Sequence, residues 1–108
     1  MHELINTFIA TTNTGNIDGA LCLFAPDAVI DDVSVGDAFV GRDGVRLYLE
    51  RFFVGYHTVS KLLSIETIDD FHADVRLDFT GDFGHETGTL KIVLNADGLI
   101  ERADADLD

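Results

Sequence analysis

The chain has 108 residues, of which 46% are hydrophobic and 25% charged, and this composition predicts a single soluble globular domain. Twenty acidic residues against seven basic ones give a formal net charge of −13. Such a charge repels phosphate groups, so we expect neither nucleic acid nor a membrane surface as a partner. No apolar run approaches the roughly 20 residues that a membrane-spanning helix needs.

The cysteine content and the amino-terminal segment favour a cytoplasmic protein. Cys22 is the only cysteine, so an intramolecular disulfide is excluded, which fits a reducing compartment. The first residues include Glu3 and lack the basic stretch that begins a signal peptide. Because no repeat or linker divides the sequence, we expect residues 1–108 to form one domain.

Helical periodicity dominates the first part of the chain. Apolar side chains recur at three- and four-residue spacing from Leu4 to Thr12, which predicts an amphipathic helix that ends near Gly15. A second, short helix is predicted from its cap at Asn16 through Phe24, just before a proline.

A short β segment and a third helix come next. Residues 28–33 predict a strand, and residues 38–40 are expected to pair back on it. A third helix is predicted to begin at residues 41–43 and to end near Gly55. Its apolar stripe consists of Val45, Tyr48, Leu49, Phe52 and Phe53.

Four β segments complete the chain. Strands are predicted over residues 58–68, 73–80, 88–94 and 99–107, where alternating apolar residues run between turn residues. The turn over residues 95–98 ends in a glycine, which tolerates positive φ. Helices in the first half and strands in the second favour an α+β domain, with the helices gathered on one side of a sheet.

Charged residues occupy alternate positions on two of these strands. The parity of the apolar residues places Arg76 and Asp78 on the outer face of the sheet. Asp104 and Asp106 also point outward, and they lie about 6.5–7 Å apart along one strand, too far to chelate one ion together. We therefore expect a solvated outer face, and neither a metal nor a cofactor.

Four short motifs carry a family resemblance. They are Thr14-Gly15-Asn16-Ile17-Asp18, Leu23-Phe24-Ala25-Pro26-Asp27-Ala28-Val29, Phe39-Val40-Gly41-Arg42-Asp43-Gly44-Val45 and Asp97-Gly98-Leu99-Ile100. In this order and spacing, across essentially the whole chain, they resemble the nuclear transport factor 2-like superfamily, most closely its SnoaL-like branch. The resemblance implies a cone-shaped roll: a curved, mixed but mostly antiparallel sheet packed on three helices around an apolar pocket. It also implies a homodimer through the outer face of the sheet.

The resemblance also suggests a catalytic residue, Asp32, which stands where ketosteroid isomerase has its general base. Alternation puts Asp32 on one strand face with Ala28 and Ile30, so we expect it in an apolar cavity, where a carboxylate suits proton abstraction. The isomerase's two oxyanion donors correspond to Phe8 and Leu90, which cannot donate a hydrogen bond. SnoaL-like polyketide cyclases, whose substrates help to stabilise the charge, fit this chain better than ketosteroid isomerisation does.

The predicted function is a pocket for a small, mostly apolar, carbonyl-bearing molecule, with Asp32 as the proton acceptor of a cyclase or isomerase. A non-catalytic hydrophobic-ligand-binding domain and a dimeric scaffold remain open as alternatives.

A third relative, limonene-epoxide hydrolase, is matched only by Arg76-Leu77-Asp78. His57 is either an acid or base at the pocket mouth or an exposed strand-start residue. The residues expected to contact the ligand are Phe8, Phe24, Phe39, Tyr48, Phe52, Tyr56, His57, Leu77, Phe79, Leu90, Ala103 and Ala105.

Overall fold

Six strands form one mixed sheet in the computed structural model, which describes residues 1–108. The strand order is β2-β1-β6-β5-β4-β3, and all neighbouring strands are antiparallel except the parallel pair β1 and β6. The elements are α1 (His2–Asn13), α2 (Ile17–Leu21), β1 (Phe24–Asp32), β2 (Asp37–Val40), α3 (Gly41–Leu49) with a π-helical turn (Glu50–Val54), β3 (Val59–Thr67), β4 (His72–Gly81), β5 (Gly84–Leu94) and β6 (Ile100–Leu107). Three helices packed on this sheet confirm the predicted α+β cone.

Helix α1 buries the face that its periodicity predicts, with Ile5, Phe8 and Thr12 turned toward the sheet. Its last residue, Asn13, fixes the helix to the edge strand β3. The side-chain amide of Asn13 donates to the carbonyl oxygen of Ser60 at 3.0 Å and accepts from the amide of Ser60 at 2.7 Å. Two hydrogen bonds to one edge residue tie the C-terminal end of α1 to β3.

The predicted end of α2 is wrong. The helix stops at Leu21 and β1 already begins at Phe24, which pairs with Ile100 of β6. Pro26 therefore lies inside a strand. It is tolerated there because the pairing of β1 with β6 shifts between Phe24 and Val29, so no ladder hydrogen bond is needed from the proline nitrogen.

A widened turn prolongs α3 toward the sheet. The amide of Gly55 donates to the carbonyl of Glu50 at 2.7 Å, a five-residue spacing that a regular α-helix does not have. A Cβ atom at Gly55 would lie 2.6 Å from the carbonyl oxygen of Arg51, so only glycine fits this end of the turn. The turn leaves the consecutive Phe52 and Phe53 both on the side of α3 that faces the sheet.

Strand alternation separates the apolar interior from a charged outer face. In β4, Val75 and Leu77 are fully buried, whereas Arg76 between them reaches outward to Asp108 at 2.6 Å. The prediction that Arg76 lies on the outer face is confirmed. This orientation excludes the epoxide-hydrolase interpretation, because that interpretation requires the Arg-x-Asp pair to face inward. None of the helices is both long and apolar enough to cross a bilayer.

Candidate functional site

An open cavity of about 390 Å³ lies between the inner face of the sheet and the α3 segment with its π-helical turn. This volume is within the range of small-molecule sites, roughly 300–1,000 Å³. Its wall is mostly apolar, and the apolar residues come from α3 and its π-helical turn, from β4 to β6 and from three loops. They are Val35, Tyr48, Phe52, Phe53, Tyr56, Phe79, Phe83, Leu90, Ala105 and Leu107.

Asp32 forms part of the cavity wall at the end of β1 and is only 6% exposed. Its inward orientation follows from strand parity, since Ala28 and Ile30 on the same face are also buried. The preceding residue, Asp31, points to the outer face and pairs with Arg102 at 3.2 Å. Opposite Asp32, β6 carries Ala105, whose small side chain leaves space in front of the carboxylate.

Three hydrogen bonds hold the Asp32 carboxylate. Its Oδ1 accepts from the amide of Ser34 at 2.9 Å and from the Ser34 hydroxyl at 2.5 Å. Its Oδ2 accepts from the hydroxyl of Tyr48 at 2.6 Å. All three donors are uncharged. Because Oδ2 accepts only one hydrogen bond, it can still accept a proton or a second hydrogen bond.

Tyr48 acts as a fixed donor in this arrangement. Burial, and secondarily its hydrogen bond to Asp32, raise the pKa of the Tyr48 hydroxyl well above its usual range. The phenol therefore stays protonated at neutral pH and donates to the carboxylate. Its ring is held between Phe39 and Phe52, each with its centroid 5.0 Å away.

Six of the predicted ligand contacts line the cavity: Tyr48, Phe52, Tyr56, Phe79, Leu90 and Ala105. Four others, namely Phe8, Phe24, Leu77 and Ala103, do not. They surround a void of about 20 Å³ in the core, too small for a ligand, which Tyr48 and Leu90 also border. The reason is that Phe8 packs edge-to-face on Phe24 and Phe53, at 6.1 and 5.9 Å, and so fills the α1 end of the cone.

Phe39 and His57 also lie outside the cavity wall. Phe39 is buried behind Tyr48 and supports it from the far side. His57 is exposed, with a left-handed φ of +54°, and its Nδ1 lies 2.9 Å from Oδ2 of Asp82. Of the two interpretations of His57, the structure supports the exposed one, although its partner Asp82 belongs to the mouth of the cavity.

Sequence reasoning missed the residues that two loops bring to the cavity. Ser34 and Val35 come from the β1–β2 turn, and Asp82, Phe83 and Glu86 come from the β4–β5 hairpin. An available signal was Phe83, an aromatic residue within a glycine-flanked turn. Its ring borders the apolar cavity and packs on Tyr56, with the ring centroids 6.1 Å apart.

Comparison with known proteins identifies this architecture. A family model described as SnoaL-like domain matches residues 5–103. A Sinorhizobium meliloti protein provisionally assigned as a polyketide cyclase is 25% identical, with a TM-score of 0.85 over 95% of this chain and 93% of its own. Among curated proteins, none matches significantly.

Two further solved structures share the fold at lower identity. A Kribbella flavida protein provisionally assigned as a ketosteroid isomerase is 16% identical, with a TM-score of 0.85 over 98% of this chain and 76% of its own. A Mycobacterium tuberculosis protein, solved with estradiol-17β-hemisuccinate, is 17% identical, with a TM-score of 0.82 over 94% of this chain and 88% of its own. At these identities the likeness concerns the fold alone.

Proposed function

Since this chain belongs to the SnoaL-like domain family, we propose that it binds a small, mostly apolar, carbonyl-bearing molecule and removes a proton from the carbon next to the carbonyl. The observation that carries the proposal is the position of Asp32. It is the one buried carboxylate of the cavity wall, and it faces an apolar space large enough for a ligand. The proton acceptor in this proposal is its Oδ2 atom.

The chemical step needs only one base. The Asp32 carboxylate takes the proton, the electron pair of the C–H bond forms a carbon–carbon double bond, and the negative charge moves to the carbonyl oxygen. In a cyclisation, the enolate carbon then attacks a second carbonyl in the same molecule, the π bond of that carbonyl breaks, and its oxygen takes the proton back from Asp32. In an isomerisation, Asp32 returns the proton to another carbon of the enolate. The hydrogen bonds from Tyr48 and Ser34 keep the carboxylate in place for both directions of transfer.

Two relatives support this choice of ligand and reaction. The S. meliloti protein is provisionally assigned as a polyketide cyclase. The M. tuberculosis protein was solved with a steroid derivative, a rigid polycyclic molecule. We therefore propose ligands of two or more fused rings for this cavity.

Hydrogen–deuterium exchange tests the proposed reaction without knowledge of the natural substrate. The protein is incubated in D₂O with 2-tetralone, a bicyclic ketone, and the loss of the α-proton signals is followed by NMR. We expect exchange that exceeds the buffer rate, rises with protein concentration and saturates with ketone. If 2-tetralone shifts protein signals from the cavity wall but exchanges only at the buffer rate, proton abstraction is contradicted.

A non-catalytic binding domain is the second candidate, and one observation favours it. The wall offers Leu90, an apolar residue, where the isomerase has an oxyanion donor, and the Tyr48 hydroxyl is already donated to Asp32. In such a domain Asp32 would orient a ligand hydroxyl. Binding of the ketone without exchange is the result that selects this candidate.

We also propose that two copies associate through the outer face of the sheet. The acids of this face are partly neutralised within the chain, since Arg102 pairs with Asp104 at 2.8 Å and Arg76 with Asp108 at 2.6 Å. This pairing lowers the repulsion that two faces of like charge would otherwise meet. Sedimentation equilibrium at micromolar concentration should give twice the chain mass of 11.8 kDa, and a single-chain mass would contradict the dimer.

A further inference from the structure

The charges on the cavity wall are all of one sign. Asp32, Asp82 and Glu86 contribute carboxylates to the lining, and no lysine, arginine or histidine does. Asp106 also borders the cavity, but its side chain points to the outer face because it lies between the inward-facing Ala105 and Leu107 on β6. We infer that the cavity selects its ligand by charge: it accepts uncharged molecules and hydrophobic ammonium ions, and it excludes carboxylates and other anions. The inference rests on the proposed function, because it requires that the cavity take small apolar ligands.

The inner wall of the cavity provides the first argument. Asp32 is 6% exposed, and the three groups that bond to it, from Ser34 and Tyr48, are all neutral. Hydrogen bonds stabilise the carboxylate but do not cancel its field. A ligand anion beside it would meet a like charge in a region of reduced dielectric, whereas an ammonium group would provide the missing counter-ion.

The aromatic wall provides a second, independent argument. Tyr48 and Phe52 have ring centroids 5.0 Å apart, and Phe53 and Phe79 have theirs 6.3 Å apart, with all four rings on the cavity. The negative face of an aromatic ring attracts a cation within about 6 Å and repels an anion. The rings and the carboxylate therefore favour the same sign of ligand charge.

Residues at the mouth of the cavity also favour cations over anions. Asp82 and Glu86 border the opening, and the chain as a whole carries a formal charge of −13. Three basic side chains lie near wall residues: His57 is 2.9 Å from Asp82, Arg51 is 5.9 Å from the ring centre of Phe52, and Arg76, on the outer face, is 3.0 Å from the Thr89 hydroxyl. None of the three lines the cavity. A negative mouth raises the association rate of cations and lowers that of anions, more so at low salt.

Three naphthalene probes of one shape test the inference. They are 2-naphthylmethanol, 2-naphthylmethylammonium and 2-naphthoate, titrated at low and at physiological ionic strength. The chain contains no tryptophan, so naphthyl fluorescence is read against tyrosine alone. We expect the ammonium ion to bind at least as tightly as the alcohol, and the carboxylate to bind about 10- to 100-fold more weakly than the alcohol.

Two matched variants locate the origin of the selection. Asp32→Asn should reduce the ammonium-to-carboxylate affinity ratio by about 10-fold or more, because it removes the buried charge. Asp74→Asn makes the same change on the outer face, away from the cavity wall, and should leave the ratio within about 2-fold. If both variants reduce the ratio equally, overall net charge governs binding and the inference is overturned.

The outcomes separate this inference from the proposed function. Equal binding of all three probes, or tightest binding of 2-naphthoate, overturns charge selection and leaves the cavity as a binding site. If none of the three probes binds up to its solubility limit, both the proposed function and the charge selection are overturned.

Discussion

Replacing Phe24 with alanine is expected to lower the free energy of unfolding by about 3–5 kcal/mol. Phe24 is 1% exposed, and its ring packs edge-to-face on Phe8 with the centroids 6.1 Å apart. Its removal forfeits the buried apolar area and leaves a hole that β1 and α1 cannot close, because both are held by their own hydrogen bonds. A domain of this size has a total stability of only about 5–15 kcal/mol, so the variant loses a large share of it.

Phe83→Ala provides the matched control for this prediction. Phe83 is 42% exposed at the cavity mouth, so the same substitution should cost about 1 kcal/mol or less. Urea denaturation followed by far-UV circular dichroism measures both variants. Equal losses of unfolding free energy in Phe24→Ala and Phe83→Ala would show that Phe24 is not part of the packed core. Phe24 would then again be a candidate ligand contact.

The parts of the site that the sequence predicts are those governed by local periodicity. Alternation along β1 is enough to place Asp32 inward, because its neighbours Ala28 and Ile30 leave only one face for the core. The same parity places Arg76 outward and removes the epoxide-hydrolase alternative. The apolar stripe of α3 likewise predicts that Tyr48 faces the interior.

The parts that the sequence does not predict depend on how the elements meet. Periodicity predicts that Phe8 and Phe24 face the interior, but it does not predict whether the interior next to these rings is packed or empty. The structure shows that their mutual packing fills it. The hydrogen bond between Tyr48 and Asp32 joins residues 16 positions apart on different elements, so no local pattern contains it.

The end of α2 illustrates a different limit. A proline usually follows the end of a helix, so Pro26 predicts a helix that extends to Phe24. Here Pro26 lies within β1, at a register shift where its missing N–H group has no consequence. Local propensity at this point is outweighed by the pairing of Phe24 with Ile100 in the sheet.

The central claim is that the carboxylate of Asp32 accepts a proton from a ligand in the cavity. Asp32→Asn preserves the size of the side chain and removes its negative charge and its basicity, so binding of a neutral ketone should persist while catalysis is lost. A positioned general base contributes about 10²- to 10⁴-fold to a proton transfer. Asp31→Asn makes the identical change one residue away, on the outer face, where it removes only the exposed pair with Arg102.

The most direct measurement is therefore the rate at which 2-tetralone exchanges its α-protons in D₂O, compared among the wild type and these two variants. We expect a loss of about 10²- to 10⁴-fold for Asp32→Asn, or down to the buffer rate, and a rate within about 2-fold of wild type for Asp31→Asn. Exchange by Asp32→Asn at the wild-type rate would contradict the claim, as would an equal loss in both variants.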